Sequence, residues 1–180
     1  MRIVAGEFRG RQLKSPSWEG LRPTSDRLRE TLFNILGTTV DAARVLDGYA
    51  GTGAIGIEAL SRGAAHVTFV ERDRRAVRLI EANLAALGVS IGPGPGGRHA
   101  NIRTGFGDLG AERFDVIVLD PPYAPEAAAD ALRAARPLLA PGGRLVIEHA
   151  VRHAPPDGEE GVRLQRTVKA GDSALSFYGI

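Results

Sequence analysis

The sequence predicts an α/β fold: a doubly wound, mostly parallel sheet of seven strands, ending in a C-terminal antiparallel hairpin and carrying a small N-terminal β-hairpin arm. Three observations lead there. Short apolar runs of buried-strand type (Val45-Leu46, His66 to Val70, Val116 to Leu119, Leu145 to Ile147) alternate with segments whose apolar residues recur at helical spacing. Between the first run and its helix stands Gly51-x-Gly53-x-x-Gly56, the glycine spacing of a tight strand-to-helix turn. Beyond the last run, two strand-like stretches, Val162 to Val168 and Ala174 to Tyr178, are joined by the turn signal Gly171-Asp172.

In chain order, Arg2 to Ala5 and Arg11 to Leu13 flank Gly6-Glu7-Phe8-Arg9-Gly10 and read as the hairpin. Residues 1 to 22 form the arm on this reading, and residues 23 to 180 the main domain. The lone Trp18 in an irregular stretch reads as a docking anchor in preference to a base-stacking platform. A helix starts at Pro23-Thr24-Ser25, where Thr24 or Ser25 can cap it. Leu28, Leu32, Ile35 and Leu36 form its apolar stripe, Gly37 ends it, and Arg27 falls off the stripe. The cradle helix spans Ala54 to Arg62 and stops at Gly63. After the strand His66 to Val70, Val77, Ile80, Leu84 and Leu87 mark a helix from Arg74 that Gly88 closes. Gly92-Pro93-Gly94-Pro95-Gly96-Gly97 excludes regular structure and reads as a surface loop. Asn101 to Thr104 is a weak strand. Ala127 to Leu139 is helical until Pro137, and Pro141-Gly142-Gly143 turns the chain into Leu145 to Ile147.

At 180 residues, 43% hydrophobic and 24% charged, the chain is long enough for one full core. It holds no cysteine, and its four histidines lack ligand spacing, so neither a disulfide framework nor a zinc site is expected and no metal is assigned. The first apolar run breaks too early for a signal peptide, and no stretch reaches membrane-spanning length, so a cytoplasmic protein without membrane contact is expected. Nothing points to an oligomer, and a monomer is expected. Residues 1 to 29 hold seven Arg or Lys against three acids, a net of +4, while the remainder carries −2. A basic arm on a near-neutral body suits a polyanion-binding edge, and equally a solvated surface arm.

The glycine turn gains meaning from Asp47, which precedes it at the strand end. In a dinucleotide site the loop amides face a pyrophosphate, which a carboxylate at that point would repel. S-adenosylmethionine carries no phosphate but has a cationic ammonium and sulfonium, so Asp47 at the mouth of the cradle suits it, with close backbone approach at Gly51 and Gly53. Tyr49 and Thr52 belong to the same turn. The next strand ends in Glu71, followed by Arg72, eighteen residues beyond Gly53 and at the distance where such sites place a carboxylate on ribose hydroxyls. A strand-end acid can also cap the following helix, as Asp73 can, but the ribose reading agrees with the cradle. Asp108, after the weak strand, reads the adenine amine or is an ordinary loop acid.

The second constellation is Asp120-Pro121-Pro122-Tyr123 after an apolar strand. Two prolines remove two backbone donors and stiffen the turn, leaving the Asp120 carboxylate and the Pro121 carbonyl as acceptors. Two acceptors can hold both hydrogens of an exocyclic base amine, favour a pyramidal nitrogen and aim its lone pair at a methyl sulfonium. Tyr123 then offers a face on which an extruded base can stack. The plainer alternative is a rigid strand exit with a core tyrosine.

The chain resembles the bacterial small-subunit (16S) rRNA guanine-N2 methyltransferase family along nearly its whole length. The resemblance is carried by Arg2-Ile3-Val4-Ala5-Gly6 with Arg9-Gly10-Arg11-Gln12-Leu13, by the run from Leu21 to Leu36, by Glu58-Ala59-Leu60-Ser61-Arg62-Gly63-Ala64, and by Asp115 through Tyr123. The cradle and the Asp-Pro-Pro-Tyr element are shared by many base-amine methyltransferases, and the N-terminal block is the specific part. The resemblance implies a Rossmann-like methyltransferase domain and methyl transfer from S-adenosylmethionine to the N2 amine of one guanine in 16S rRNA, naked or within a small-subunit assembly particle. Gly48-Tyr49 departs from the family's usual Leu-Phe, and the Gly/Pro loop looks like an insertion.

Arg9, Arg11, Arg22 and Arg27 are the candidate phosphate contacts, on an arm expected to be mobile until RNA binds. A DNA base-amine methyltransferase would share both motifs but lacks a target-recognition segment here. A non-catalytic RNA-binding assembly factor would not need Asp120 and Tyr123. A nicotinamide oxidoreductase is disfavoured by Asp47.

Overall fold

A computed structural model describes residues 1–18, 26–92 and 98–180. Among the described residues nine strands form one sheet in the order β3-β4-β2-β1-β5-β6-β9-β8-β7. The parallel part comprises β1 (Arg44–Gly48), β2 (His66–Val70), β3 (Ser90–Ile91), β4 (His99–Arg103), β5 (Phe114–Leu119) and β6 (Leu139–Ala150). β7 (Gly158–Glu159), β8 (Val162–Ala170) and β9 (Ser173–Gly179) add the antiparallel edge. The expected seven strands are all present. The two additional ones, β3 and β7, are two-residue pairings at the sheet margins, too short to carry a periodic signal.

The central strands are apolar on both faces, and their alternation sorts them into two cores. Val45, Val116, Val118, Val146 and Phe177 face one core, which they share with α1 (Asp26–Leu36), α2 (Ala54–Ser61) and α3 (Arg74–Leu87). Leu46, Ile117, Leu119, Leu145, Ile147 and Tyr178 face the other, covered by α4 (Ala127–Ala135). Helices therefore lie on both faces, and the connections reverse direction between β1 and β5. That reversal opens a crevice at the carboxyl ends of these two strands.

Local signals account for the helix ends. Asp73 caps α3 by accepting the Arg75 amide, and Gly88 closes it in the left-handed region at φ 73°. Within α3 the buried face includes Ala76, Leu79 and Asn83, with Val77 only half-buried, so the stripe is rotated from the expected one. Asn83 explains the rotation, because its side chain bonds both the amide and the carbonyl of Lys14. The expected helix caps Thr24 and Ser25, and Pro93 to Gly97 of the Gly/Pro loop, lie outside the described residues.

The N-terminal segment is a hairpin with one antiparallel bridge, Arg2 to Gln12, but it is no mobile arm. Ile3, Phe8 and Leu13 are buried in the core with α1, α2 and α3. The Glu58 carboxylate, fully buried in α2, accepts the Val4 and Ala5 amides at 2.8 and 3.0 Å. It also pairs with Arg62 at 2.8 Å and lies 3.6 Å from the guanidinium of the equally buried Arg29 on α1. Arg29 donates in turn to the Arg2 carbonyl. Burying a charge is tolerable only when its partners are in place. Glu58→Ala should therefore cost about 3 kcal/mol or more, because the Val4 and Ala5 amides would lose their acceptor and the buried Arg29 would keep only Asp26, at 2.9 Å, as a carboxylate partner. Denaturant unfolding of the parent and the variant measures the difference.

Candidate active site

At the reversal between β1 and β5 the chain walls a cleft of about 830 Å³. Four apolar strands deliver an acid to it: Asp47 at the end of β1, Glu71 after β2, Asp120 after β5 and Glu148 near the end of β6. Parallel strands present their carboxyl ends on one edge, so an acid at each end arrives at the same opening.

Asp47 does not stand at the mouth, as the sequence suggested, but beneath the turn. It is 1% exposed, and its Oδ2 accepts the Gly56 amide of α2 at 2.8 Å. Burial raises its pKa to about 8 against the lowering effect of the Gly56 amide, with Glu71 adding to the rise. Glu71 accepts the Gly51 amide on Oε2 and the Asp73 amide on Oε1, each at 2.8 Å. The glycine turn is thus clamped from below by one strand-end acid and from the side by the next. Carboxylate oxygens keep further lone pairs, so Glu71 can still receive hydroxyl donors from the cleft that it lines.

Gly51 has φ 55° and Gly53 φ 74°, conformations that favour glycine. Gly51 and Thr52 line the cleft, whereas Gly53 does not: a Cβ on it would stand 3.0 Å from Ile80. A Cβ on Gly56 would fall 2.3 Å from the Phe69 ring, so that glycine serves close helix-to-sheet packing. Tyr49 holds a positive φ of 63°, uncommon for an aromatic residue, and turns its ring to 5.6 Å from that of Phe106 across the cleft wall. Arg72 is exposed on the same wall.

Asp120, Pro121, Pro122 and Tyr123 all line the cleft opposite the glycine turn. The Asp120 amide donates to the Gly48 carbonyl at 3.2 Å, which ties the exit of β5 to the end of β1. Tyr123 donates its hydroxyl to Glu148 Oε1 at 2.8 Å and lies 2.7 Å from Ser173 Oγ. Burial pushes its phenol up to about 12, so it stays a donor at neutral pH. Burial also raises the Glu148 carboxyl, while the Tyr123 hydroxyl bond works in the other direction.

Two groups of expected residues lie elsewhere. Asp108 is not part of the cleft wall. Its carboxylate accepts the Thr104 hydroxyl at 2.8 Å and the Gly105 amide at 3.1 Å, which makes it the acid of its own turn, while Thr104, Gly105 and Phe106 face the cleft instead. Arg11 bonds the Ala86 carbonyl at the C-terminal end of α3, and Glu7 of the same hairpin pairs with Arg98 ahead of β4. Arg11 is thus held at the C-terminal end of the 14-residue α3, while the start of the same segment reaches the cleft wall, where the Thr52 hydroxyl donates to Met1 Sδ at 3.8 Å. Arg27 is exposed beside Leu28, which reaches the cleft, and Arg22 lies outside the described residues. Trp18 docks against α3, with the Arg75 guanidinium 5.1 Å over its ring.

Glu148 and Ser173 went unrecognised in the sequence. Glu148 carried a signal, since Leu145-Val146-Ile147-Glu148 repeats the pattern of an apolar strand ending in an acid. Ser173 had none, because only the return of β9 beside β6 brings it there. No group of three metal-ligating side chains occurs among the described residues, and none of their helices is long and apolar enough to cross a membrane.

The family model described as conserved hypothetical protein 95 matches residues 1–179. The chain belongs to this family, the 16S rRNA methyltransferases. It is 42% identical over 123 residues to ribosomal RNA small subunit methyltransferase D of Haemophilus influenzae, a match that covers 68% of this chain and 64% of that relative. The solved yhhF protein of Escherichia coli superimposes with a TM-score of 0.83 at 34% identity, covering 99% of this chain and 96% of that one. A methyltransferase solved as a complex with SAH shares the fold, with a TM-score of 0.67 at 15% identity over 86% of this chain and 49% of its own.

The raised pKa of Asp47 sets a pH dependence. The folded chain holds this proton up to about pH 8, whereas an ordinary aspartate releases it near 3.8, so the folded state binds the extra proton between those values. Stability from this group is full below about pH 4 and falls as pH rises towards 8. Asp47→Asn removes that loss, so the variant's stability relative to the parent should grow from pH 5 to pH 8.5. Unfolding curves across that range test it, and a constant difference would show that Asp47 does not titrate there.

Proposed function

We propose that this protein transfers a methyl group from S-adenosylmethionine to the exocyclic N2 amine of a guanine in 16S rRNA, as naked RNA or within a small-subunit particle. The observation that carries the reading is the convergence on one cleft of the clamped glycine turn and the Asp120-Pro121-Pro122-Tyr123 exit. The first half is a cradle for a cationic, phosphate-free nucleoside. Its floor is the Asp47 carboxyl, the Glu71 carboxylate borders it, and Tyr49 and Phe106 give an aromatic wall for an adenine. The second half presents acceptors and a tethered ring to a base.

S-adenosylmethionine, when bound, would supply a methyl carbon on a sulfonium, the sulfur keeping the C–S bonding pair. Asp120 and the Pro121 carbonyl accept the two amine hydrogens and draw the nitrogen lone pair out of conjugation. That lone pair forms the new N–C bond. The nitrogen then carries one proton in excess, which Asp120 takes up and passes to solvent. Tyr123, fixed by Glu148 and Ser173, offers its face to the base and excludes water from it. Phosphates flanking the target fall to exposed cations, of which Arg27, beside the cleft-lining Leu28, is one, while Arg11 is engaged by the Ala86 carbonyl at the end of α3.

The deciding assay is tritiated-methyl transfer to 16S rRNA, small subunits and DNA, followed by nucleoside analysis. N2-methylguanosine in the RNA arms is expected, and label in adenine, cytosine or DNA would sink the reading. Asp120→Ala should reduce the single-turnover rate below about a tenth of the parent's while S-adenosylmethionine affinity by calorimetry changes little, because the amine contact matters in the transition state. For the RNA, Arg27→Ala should flatten the log-log salt dependence of binding by roughly 0.7 if one single-strand phosphate contact is lost. A double Arg9, Arg11 to alanine variant should leave that slope unchanged. The reverse pattern would return the RNA contact to the hairpin.

A further inference from the structure

The β5 and β6 pairing, with Leu119 opposite Ile147, brings Asp120 and Glu148 to neighbouring positions at the cleft. Glu148 is only 5% exposed. One of its oxygens, Oε1, accepts the Tyr123 hydroxyl, and the other, Oε2, has no hydrogen-bond partner among the described residues. A buried carboxylate oxygen without a donor is costly, and its residue lines a cleft that takes a ligand, so the missing donor belongs to that ligand.

The chemistry of the bases says which ligand meets that need. Beside its exocyclic amine, guanine carries a ring N1–H, a donor. Adenine and cytosine carry a bare ring nitrogen beside theirs, an acceptor. With the amine held by Asp120, the next position along the base edge falls to an acceptor from the adjoining strand. A second acceptor on the base would leave both groups unsatisfied.

We propose that Glu148 is the specificity-determining residue of the base pocket, its Oε2 accepting the guanine N1–H next to the amine that is methylated. The assignment rests on the guanine-N2 reading above. Tyr123 serves it twice, by stacking on the base and by holding Oε1 so that Oε2 faces the edge. Ser173 fixes the same hydroxyl from β9, which makes the C-terminal hairpin part of the discrimination.

The test uses the whole protein with 16S rRNA in which the target guanine is replaced by 2-aminopurine, a base that keeps the C2 amine but has an unprotonated N1. The parent should prefer guanine by roughly 10- to 100-fold in kcat/KM. Glu148→Gln keeps an acceptor for Tyr123 but can place an NH2 at the Oε2 position. It should lose a comparable factor on guanine and narrow the preference for guanine over 2-aminopurine, with S-adenosylmethionine affinity and Tm unchanged. A purely structural Glu148 would be rescued by glutamine, so a variant with the parent's rate and preference overturns the proposal. A parent that methylates both bases equally well overturns it too, even if the variant does not fold. Nucleoside analysis separates this from the functional reading: a parent product other than N2-methylguanosine refutes that reading, whereas N2-methylguanosine formed without base preference refutes the role of Glu148 alone.

Discussion

The cleft depends on the bond from the Gly56 amide to the buried Asp47 carboxyl. It joins the end of β1 to the first turn of α2, and the five residues Tyr49 to Gly53 must double back between them to meet it. The positive φ values at Tyr49, Gly51 and Gly53 follow from that tight path. The arrangement holds a carboxyl out of water, and desolvation lifts its pKa to about 8. A cationic ligand above it would favour the charged form, so the energy stored in burying Asp47 is recovered when a positive group enters.

Around that bond the remaining elements act as supports. Glu71 holds Gly51, the Asp120 amide holds Gly48, and Glu148 holds Tyr123, so each strand end fixes a group contributed by another segment. The N-terminal segment contributes from outside. Through Glu58 it is locked to α1 and α2, and α1 in turn presents Leu28 to the cleft. A change in that segment would therefore reach the cleft through α1 and α2 as well as through any contact with RNA.

The sequence by itself determined the sheet and its order of events. Apolar runs such as Val116 to Leu119 cannot be half-solvated, so they had to be central strands, and the glycine spacing after Val45-Leu46 required a tight turn into a helix. These are local constraints, set by residues within a few positions of each other. That the acids Asp47, Glu71 and Asp120 would meet at one cleft was legible for the same reason, because strand ends in a parallel sheet share one edge.

Tertiary structure decided what each side chain faces. Whether Asp47 sits at the mouth or beneath the turn depends on the distance to Gly56, and Asp108 turned to its own loop because Thr104 and Gly105 offer nearer donors. The basic hairpin was placed by Ile3, Phe8 and Leu13, whose burial against α1, α2 and α3 carries Arg11 to the C-terminal end of α3 regardless of its charge. Ser173 joined the cleft only because β9 runs antiparallel to β6. Charge and local pattern are written along the chain. Which face a hairpin docks on is set by contacts such as those of the Val4 and Ala5 amides with Glu58, more than fifty positions away, where packing overrides local preference.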